Sequence, residues 1–329
     1  MFPGERLRLP DAHLKRGLMM LKKFATAAGA FAAITLSATA SFAQSTTIPG
    51  EQVGLAVGAP LPEGIYAIDT FIYRRNDTRF STDTAINVPV LVWSTGFKLF
   101  GANVQPLLAQ PTVFGFPNNP AGVPNRDFSV NVGTLVGSIF AWDLGNNFGV
   151  SYLAAVHLND LDGGRGLPQF SSNTYRQGFA ASYTGDGWNL TANLTHNLYD
   201  SPGRFEGAAG RAIGPLYLAD ALLLDLTATK KFGKFEIGAV AYGVTDLPLG
   251  GRDFALASAQ GYTRAGRFAV GGLIGYDFGP VTAQLMVARD VAVRTRGTES
   301  TDGFIRLIAP LYSAPKAADP MPVSLVRKY

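Results

Sequence analysis

The fold of this chain is decided by the stretch Trp188–Tyr199, which reads WNLTANLTHNLY. Its even-numbered residues are apolar except for His196, whereas its odd-numbered residues are Asn or Thr until Tyr199. Because successive side chains of a β-strand point to opposite faces, this strand separates an apolar environment from a polar one. Two architectures meet that condition: a secreted β-sandwich, whose apolar face packs on a second sheet, and a membrane β-barrel, whose apolar face meets lipid.

The same alternation returns in three other segments of the chain, Asn147–Asn159, Leu222–Lys231 and Pro280–Asp290. The periodic runs are about 10–13 residues long, whereas strands of globular proteins are most often about 5–6 residues long. A tilted strand that crosses a membrane needs about 9–11 residues. The length of the runs therefore favours the membrane barrel over the sandwich.

Very short turns that contain glycine join several of these runs, at 184–187, 232–234 and 278–280. Longer links rich in Gly, Pro, Asn and Asp lie between the hairpins, at 117–127, 159–173, 200–215, 246–264 and 293–302. Short turns that alternate with long loops are typical of outer-membrane barrels, in which the short turns face the periplasm.

These observations predict an all-β fold, a transmembrane antiparallel β-barrel of about twelve strands within residues 64–312. The predicted strands lie near 64–75, 86–99, 102–114, 130–143, 147–158, 174–184, 187–199, 217–231, 233–245, 266–278, 280–292 and 302–312. Pro106 and Pro111 interrupt the third strand, because proline cannot donate to the ladder. Aromatic residues near many strand ends fit the rings that barrels place at the lipid–water boundary.

The N-terminal residues have the order of a secretory signal peptide. Lys22 and Lys23 precede an apolar run of about 13 residues, which is shorter than the roughly 20 residues of a spanning helix, and small residues lead to Ala43. We predict a cleavable signal peptide over 1–43. Residues 1–18 are interpreted as the result of a misassigned start codon, with Met19 as the more usual start of such a peptide. The remaining units are an N-terminal segment (44–63), the barrel (64–312) and a C-terminal tail (313–329).

Charge and cysteine content exclude several classes of protein. The chain has a formal charge of +4, and its residues 1–43 hold six basic and two acidic residues, so the whole excess lies in the leader. The neutral mature chain gives no reason to expect a nucleic acid as partner. The absence of cysteine excludes disulfide scaffolds, iron–sulfur clusters and cysteine nucleophiles. Beyond residue 43 no long uncharged apolar run occurs, which argues against a helical inner-membrane protein.

Four blocks of the chain resemble one known family. They are Gly58–Tyr66, Leu224–Gly238, Arg267–Pro280 and Phe304–Pro310, and they keep the order and spacing of the outer-membrane family named for the meta pathway of phenol degradation. The resemblance covers most of residues 58–312. It implies an outer-membrane barrel of a Gram-negative bacterium that acts as a channel, in a family often linked to the breakdown of aromatic compounds. The resemblance transfers no functional residue to this chain.

Charged residues within the predicted strands mark the inside of the barrel. A charge on the lipid face costs about 2–4 kcal/mol at mid-membrane, so such side chains are expected to point inward or to lie near the rims. The charged candidates for the channel lining are Asp225, Glu236, Arg267, Asp277, Arg289 and Arg306. The uncharged candidates are Asn189, Asn193 and His157. Inward charges of both signs either pair across the lumen or set solute selectivity.

The other polar residues form no catalytic or metal-binding pattern. His157 and His196 are the histidines beyond the leader; they lie in different strands, and no metal-ligand spacing surrounds them. Ser151 lies six residues from His157 on one predicted strand, about 20 Å away, which is too far for a nucleophile–base pair. We therefore predict no enzyme, no catalytic residue, no metal and no cofactor.

The predicted function is passive uptake of small hydrophobic or aromatic compounds through the cell outer membrane, where the aromatic solute rests on the resemblance alone. A barrel of this size encloses a narrower lumen than the large porins, and residues 44–63 or Pro117–Asp127 are candidate plugs. The expected partners are outer-membrane lipid, the barrel-assembly machinery and the solute. Two alternatives stay open: an outer-membrane lipid-modifying enzyme, which needs another serine beside His157, and a non-transporting structural barrel.

Overall fold

The computed structural model describes residues 47–78, 80–121, 125–131, 133–160, 171–200, 217, 219–259 and 262–314. The predicted signal peptide, residues 44–46 and the C-terminal tail from residue 315 onward lie outside the described residues. Cleavage of the leader and the role of the tail therefore stay predictions.

The described residues form one antiparallel sheet of fifteen strand segments and one α-helix. The strands are β1 Gly64–Asn76, β2 Thr82–Ser94, β3 Lys98–Leu99, β4 Ala102–Ala109, β5 Thr112–Pro117, β6 Phe128–Asn131, β7 Thr134–Gly145, β8 Phe148–Asp160, β9 Ser171–Tyr183, β10 Trp188–Tyr199, β11 Ala221–Phe232, β12 Phe235–Asp246, β13 Gly266–Asp277, β14 Thr282–Val293 and β15 Ser300–Ser313. The helix α1 is Gly251–Ala259, and a 3-10 turn lies at Gly185–Gly187. Within the described part of the chain, no helix has the length and apolarity needed to cross a bilayer.

Over the described residues, the fifteen strand segments make up the twelve full-length strands of a closed barrel. Each full-length strand, whether it is one segment or two, is named a stave. β4 and β5 both pair with β2 and form the third stave, while β6 and β7 pair with β5 and β4 and form the fourth. β3 pairs only with β4 at its end. The last strand, β15, pairs with β1 along its length and closes the ring. The predicted antiparallel barrel of about twelve strands is confirmed.

The third stave is broken where a proline interrupts it. Gln110 and Pro111 lie between β4 and β5, and the Gln110 side chain bridges to the next stave, where its Oε1 accepts from Thr134 Oγ1 (2.6 Å). Pro106, which was also expected to interrupt this strand, lies within β4. The ladder between β4 and β2 covers only Leu107–Ala109, so Pro106 is paired along one edge, where proline is tolerated.

The two ends of the barrel differ in the length of their connections. At one end, named the short-turn end, the strands are joined by turns at 146–147, 184–187, 233–234 and 278–281. At the other, named the long-loop end, the connections are 77–81, 118–127, 161–170, 200–220, 247–265 and 294–299. This arrangement matches the predicted alternation, except that α1 lies in the loop 247–265.

Strand β10 shows which side of the sheet is the inside. Its odd-numbered residues from Thr191 to Asn197 are at most 6% exposed, whereas Leu190 and Leu194 are 42% and 45% exposed. The polar face is therefore enclosed and the apolar face lies on the outer surface, which excludes the β-sandwich, because a sandwich buries its apolar face. Large exposed aromatic residues gather at the short-turn end, among them Trp93, Phe97, Phe100, Phe148, Phe232, Phe235, Phe278 and Tyr312.

Candidate channel lumen

Residues 47–63, the inner segment, run through the inside of the barrel. The segment meets β1 at Gly64, at the short-turn end. At its other end, Thr47 Oγ1 donates to Asn197 Oδ1 (2.9 Å) near the long-loop end of β10. The other plug candidate, Pro117–Asp127, has its described residues exposed or half-buried at the long-loop end. Among the described residues, the chain's own N-terminal segment is therefore what fills the lumen.

The inner segment is a series of tight turns, with glycine at positions 50, 54 and 58. The backbone amides of Glu51, Leu55 and Ala59 each donate to the carbonyl three residues earlier, at 3.0, 3.2 and 3.0 Å. Gly50 and Gly54 occupy the third position of their turns with φ of 86° and 84°. A type II turn needs a positive φ at that position, which glycine adopts without strain.

Asp225 of β11 holds the outer part of the inner segment. Its Oδ1 accepts from the Gly50 amide (3.1 Å), and its Oδ2 accepts from the Gln52 amide (3.3 Å). Thr227, on the same face of β11, accepts from the Gly54 amide through its Oγ1 (2.8 Å). The turns have no sheet partner, so these side chains satisfy main-chain donors that would otherwise be buried without one.

Arg306 of β15 holds the same turns from the opposite side. Its Nη2 donates to the Glu51 carbonyl (2.6 Å), and its Nη1 donates to the Val53 carbonyl. Its Nε donates to Thr70 Oγ1 on β1 (2.9 Å). The Glu51 carboxylate in turn pairs with Arg176 Nη1 on β9 (2.7 Å). The guanidinium of Arg306 is fully buried, so its charge depends on these acceptors and on the nearby carboxylates.

Uncharged side chains of the wall complete the attachment. Asn193 Nδ2 donates to Gln52 Oε1 (2.9 Å), and Asn189 Nδ2 donates to the Gly54 carbonyl (3.1 Å). Further bonds to the segment come from Ser151, Ser182 and Gln284. The polar face that the sequence shows on β10 thus binds both main-chain and side-chain atoms of the inner segment.

A second polar cluster lies in the lumen nearer the long-loop end. Arg74 donates twice to the Asp302 carboxylate, at 2.8 Å in each case. Arg267 bridges Asp290 (2.7 Å) and Asp302 (2.9 Å), and Tyr242 Oη donates to Asp302 (2.6 Å). Two cations and two anions balance one another here, so the cluster ties together the strands on both sides of the β1–β15 seam.

Three other residues that were predicted to line the channel lie in different parts of the barrel. Glu236 is 4% exposed, and its Oε2 accepts from Gln284 Nε2 (3.0 Å). His157 is fully buried on the inner face of β8. Asp277 lies at the short-turn rim, where its Oδ1 accepts from the Gly279 amide (2.7 Å). The structure does not bring these three residues together.

The prediction that Arg289 lines the lumen is wrong. Arg289 shares the outward face of β14 with Leu285 and Val287, and its side chain is 54% exposed. Its Nη2 pairs with Asp77 (2.6 Å) at the long-loop end. A cation at the rim keeps its contact with water and avoids the cost of mid-membrane burial, so the outward position is tolerated.

Between the inner segment and the opposite wall lies a cavity of about 460 Å³. The wall across from the segment is mainly aliphatic and includes Ile68, Val88, Val90, Val92, Leu107, Ala109, Leu135 and Ile139. Asn189, Asn193 and Glu236 are among the polar residues that complete the lining. The volume lies within the range of about 300–1,000 Å³ that is usual for small-molecule pockets, and the aliphatic wall suits an apolar ligand.

Sequence reasoning missed Arg74, Arg176 and Asp302, although the rule that selects Asp225 also applies to them. The strand bounds predicted from sequence put Arg74 and Asp302 at strand ends, where a charge has no strong inward preference. The actual strands extend further, to residue 76 in β1 and back to residue 300 in β15. Gln105 was missed because its strand is interrupted by proline, so its face could not be read from an alternation.

The described lumen holds no arrangement typical of a metal centre. Among the residues that the structure describes, no three His, Asp or Glu side chains form a ligand group. Ser151 donates its hydroxyl to the Val57 carbonyl (2.8 Å), so it serves the inner segment.

The fold and the lumen together define a class of protein. A closed antiparallel barrel that is apolar outside and polar inside, with short turns at one end and long loops at the other, is an outer-membrane β-barrel. More specifically, the chain belongs to the family described as "Putative MetA-pathway of phenol degradation", whose model matches residues 44–307. No curated protein sequence matches it.

Several solved structures are similar to this chain at low sequence identity. The COG4313 outer membrane channel from Pseudomonas putida F1 is 12% identical with a TM-score of 0.60, and the match covers 80% of this chain and 99% of that one. The β domain of the Bordetella autotransporter Brka is 12% identical with a TM-score of 0.47, over 76% and 100%. The CymD monoaromatic hydrocarbon channel is 9% identical with a TM-score of 0.41, over 75% and 88%. The likeness to the COG4313 channel confirms the predicted barrel fold.

Proposed function

We propose that this protein is an outer-membrane channel for the passive uptake of small hydrophobic or aromatic compounds. The observation that carries the proposal is the cavity of about 460 Å³ between the inner segment and the aliphatic wall. Two comparisons support it: the family description refers to phenol degradation, and the solved structure with a TM-score of 0.60 is titled an outer membrane channel.

The aliphatic wall favours apolar solutes over hydrated ones. An ion or a sugar must give up hydrogen bonds to water at this wall without receiving others in return. An apolar solute instead gains about 25 cal/mol for each Å² of apolar surface that leaves water. Passage down a concentration gradient then needs no input of energy, and the barrel itself discriminates by polarity.

The predicted lining residues divide into two roles within this proposal. Asn189, Asn193 and Glu236 line the cavity and meet the solute, and the two asparagines also bind the inner segment. Asp225 and Arg306 act through the inner segment, because they fix the turns that form the other side of the route. The apolar outer face contacts outer-membrane lipid, and the barrel-assembly machinery inserts the chain.

The test is uptake of radiolabelled toluene by intact cells of a deletion strain that carries the wild-type chain or a variant. Val90→Phe fills the cavity, whereas Leu91→Phe adds the same ring volume on the outer face, where Leu91 is 43% exposed. We expect the wild type and Leu91→Phe to restore uptake and Val90→Phe to restore less of it. Equal uptake with and without the wild-type chain would overturn the proposed function.

A further inference from the structure

Gln105 is a buried polar residue on the aliphatic side of the lumen. It lies in β4, lines the cavity and is 2% exposed. Its Nε2 has no hydrogen-bond partner among the described residues. A buried amide that has lost its bonds to water and gained none is uncommon in folded proteins, so it calls for a functional explanation.

The neighbours of Gln105 within the sheet are aliphatic. Its register neighbour on β7 is Ile139, and the neighbour of Ile139 on β8 is Leu153. On its own strand, the next residues that line the cavity are Leu107 and Ala109. A single amide therefore lies on a mainly aliphatic surface that borders a space large enough for a small molecule.

The charges at the cavity point to a neutral ligand. Two cations line the cavity on the far side: Arg176, which is 5% exposed and is already paired with Glu51 (2.7 Å), and Lys231, which is exposed to solvent at the short-turn end of β11. A ligand carboxylate would bring an uncompensated charge into this site, which is costly away from water. A hydroxyl group is neutral, and because it both donates and accepts, it matches the Gln105 amide in either of its two orientations.

We propose that Gln105 is the polar anchor of a binding subsite for a neutral, mainly apolar molecule that carries one hydroxyl group. The aliphatic wall binds the hydrocarbon body, and the amide binds the hydroxyl. Gln105 then makes the channel favour a hydroxylated compound over a hydrocarbon of the same shape, because the hydrocarbon leaves the buried amide unpaired. This inference rests on the proposed function and names the solute class of the same cavity.

The test compares binding of 4-fluorophenol and 4-fluorotoluene, which differ by a hydroxyl in place of a methyl group of similar size. Binding to the purified, detergent-solubilised barrel is followed by fluorine NMR line broadening, with partition into empty micelles subtracted. We expect the wild type to favour 4-fluorophenol by about 3- to 10-fold, the effect of one hydrogen bond. Gln105→Leu should bring this preference close to one while it keeps the binding of 4-fluorotoluene.

The control is Gln177→Leu, the same substitution on the outer face of β9, where Gln177 contacts Tyr152 and His196. It should keep the wild-type preference. Folding of each variant is checked by its mobility on an unboiled gel, and Gln105→Met replaces Gln105→Leu if the latter does not fold.

The inference is overturned if the wild type binds both probes equally, if it binds neither above empty micelles, or if the Gln105 variants keep the preference. Its failure is distinguishable from failure of the proposed function. Toluene uptake by cells does not depend on the hydroxyl preference, so normal uptake with no preference rejects the role of Gln105 and leaves the channel.

Discussion

Two walls face each other across the lumen, and they differ in the polarity of the side chains that they present to it. The wall formed by β9, β10, β11, β14 and β15 presents polar side chains that bind the main chain and the side chains of the inner segment. The wall formed by β1, β2, β4 and β7 presents mainly aliphatic side chains to the cavity. Both walls belong to one continuous sheet of one ring.

The difference teaches how one barrel can be plugged and still offer a route. Hydrogen bonds are directional, so the polar wall holds the inner segment in one position. Dispersion and hydrophobic contacts have no direction, so the aliphatic wall lets a solute move along it at little cost. The inner segment is therefore a fixed boundary of the route, and the following variants test that division.

The largest effect is expected from deletion of residues 47–59. Without these turns, the polar side chains that held them face water, and the lumen becomes a continuous aqueous pore. Single-channel conductance of the reconstituted barrel in a planar bilayer should rise several-fold above that of the wild type. An unchanged conductance would show that the inner segment does not limit the pore.

Arg306→Ala should release the segment without deleting it. The substitution leaves the Glu51 and Val53 carbonyls without their donor and removes the cation beside Asp225, and breaking a buried charge network of this kind costs about 3–5 kcal/mol. Bilayer recordings should show intermittent openings that the wild type lacks. Arg289→Ala is the control, because its pair with Asp77 is exposed to solvent and contributes little to stability. Recordings identical to the wild type for Arg306→Ala would count against the anchoring role.

Gly54→Ala should have a smaller effect of the same kind. Gly54 has φ of 84°, and an added Cβ would lie 2.7 Å from Leu273 Cδ1. A non-glycine residue at such a φ costs about 1–3 kcal/mol before any crowding is counted. Gly233→Ala in a short turn is the control, since it also has positive φ (61°) but would meet no atom within 4 Å. Only Gly54→Ala should raise the open fraction in recordings; an equal effect of both would point to general loosening of the barrel.

The smallest effect is expected on the aliphatic wall. Val92→Thr keeps the side-chain size but places a hydroxyl beside the solute, and it should lower toluene uptake about two- to five-fold, since the solute cannot bond to that hydroxyl. Conductance should stay at the wild-type level, because the inner segment is untouched. Val136→Thr, on the outer face where Val136 is 44% exposed, should leave uptake unchanged. A loss of uptake with Val136→Thr alone would contradict the proposed route.

The barrel could be predicted from sequence because each strand lies between two different solvents. The alternation in Trp188–Tyr199 reflects lipid on one side of the strand and a polar interior on the other. It can be recognised within one strand, without knowing which distant residues the strand contacts. The same alternation also places Arg289 on the face of Leu285 and Val287, so the error at Arg289 came from weighing charge above parity.

The inner segment could not be traced in the same way. Its glycines at positions 50, 54 and 58 predict turns, but turns carry no periodic face that would say which wall they meet. The cavity is the part of the lumen that the inner segment does not fill. The lining of the cavity and the role of Gln105 therefore depend on the path that the segment takes through the barrel. The Asp225 charge was recognisable within its strand, whereas its partners, the Gly50 and Gln52 amides, were not.

The seam between β1 and β15 has a consequence for the order of assembly. The bond from Arg306 to the Glu51 carbonyl spans 255 residues of chain, and those from Gln284 and Asp225 span 230 and 175. Closing such long loops is slow, and the binding surface for residues 47–63 is incomplete until the last stave has arrived. Residues 47–63 therefore reach their final position only when β15 pairs with β1, and this pairing encloses them in the lumen. Residues 47–63, which are synthesised before every strand of the barrel, are among the last to reach their final positions.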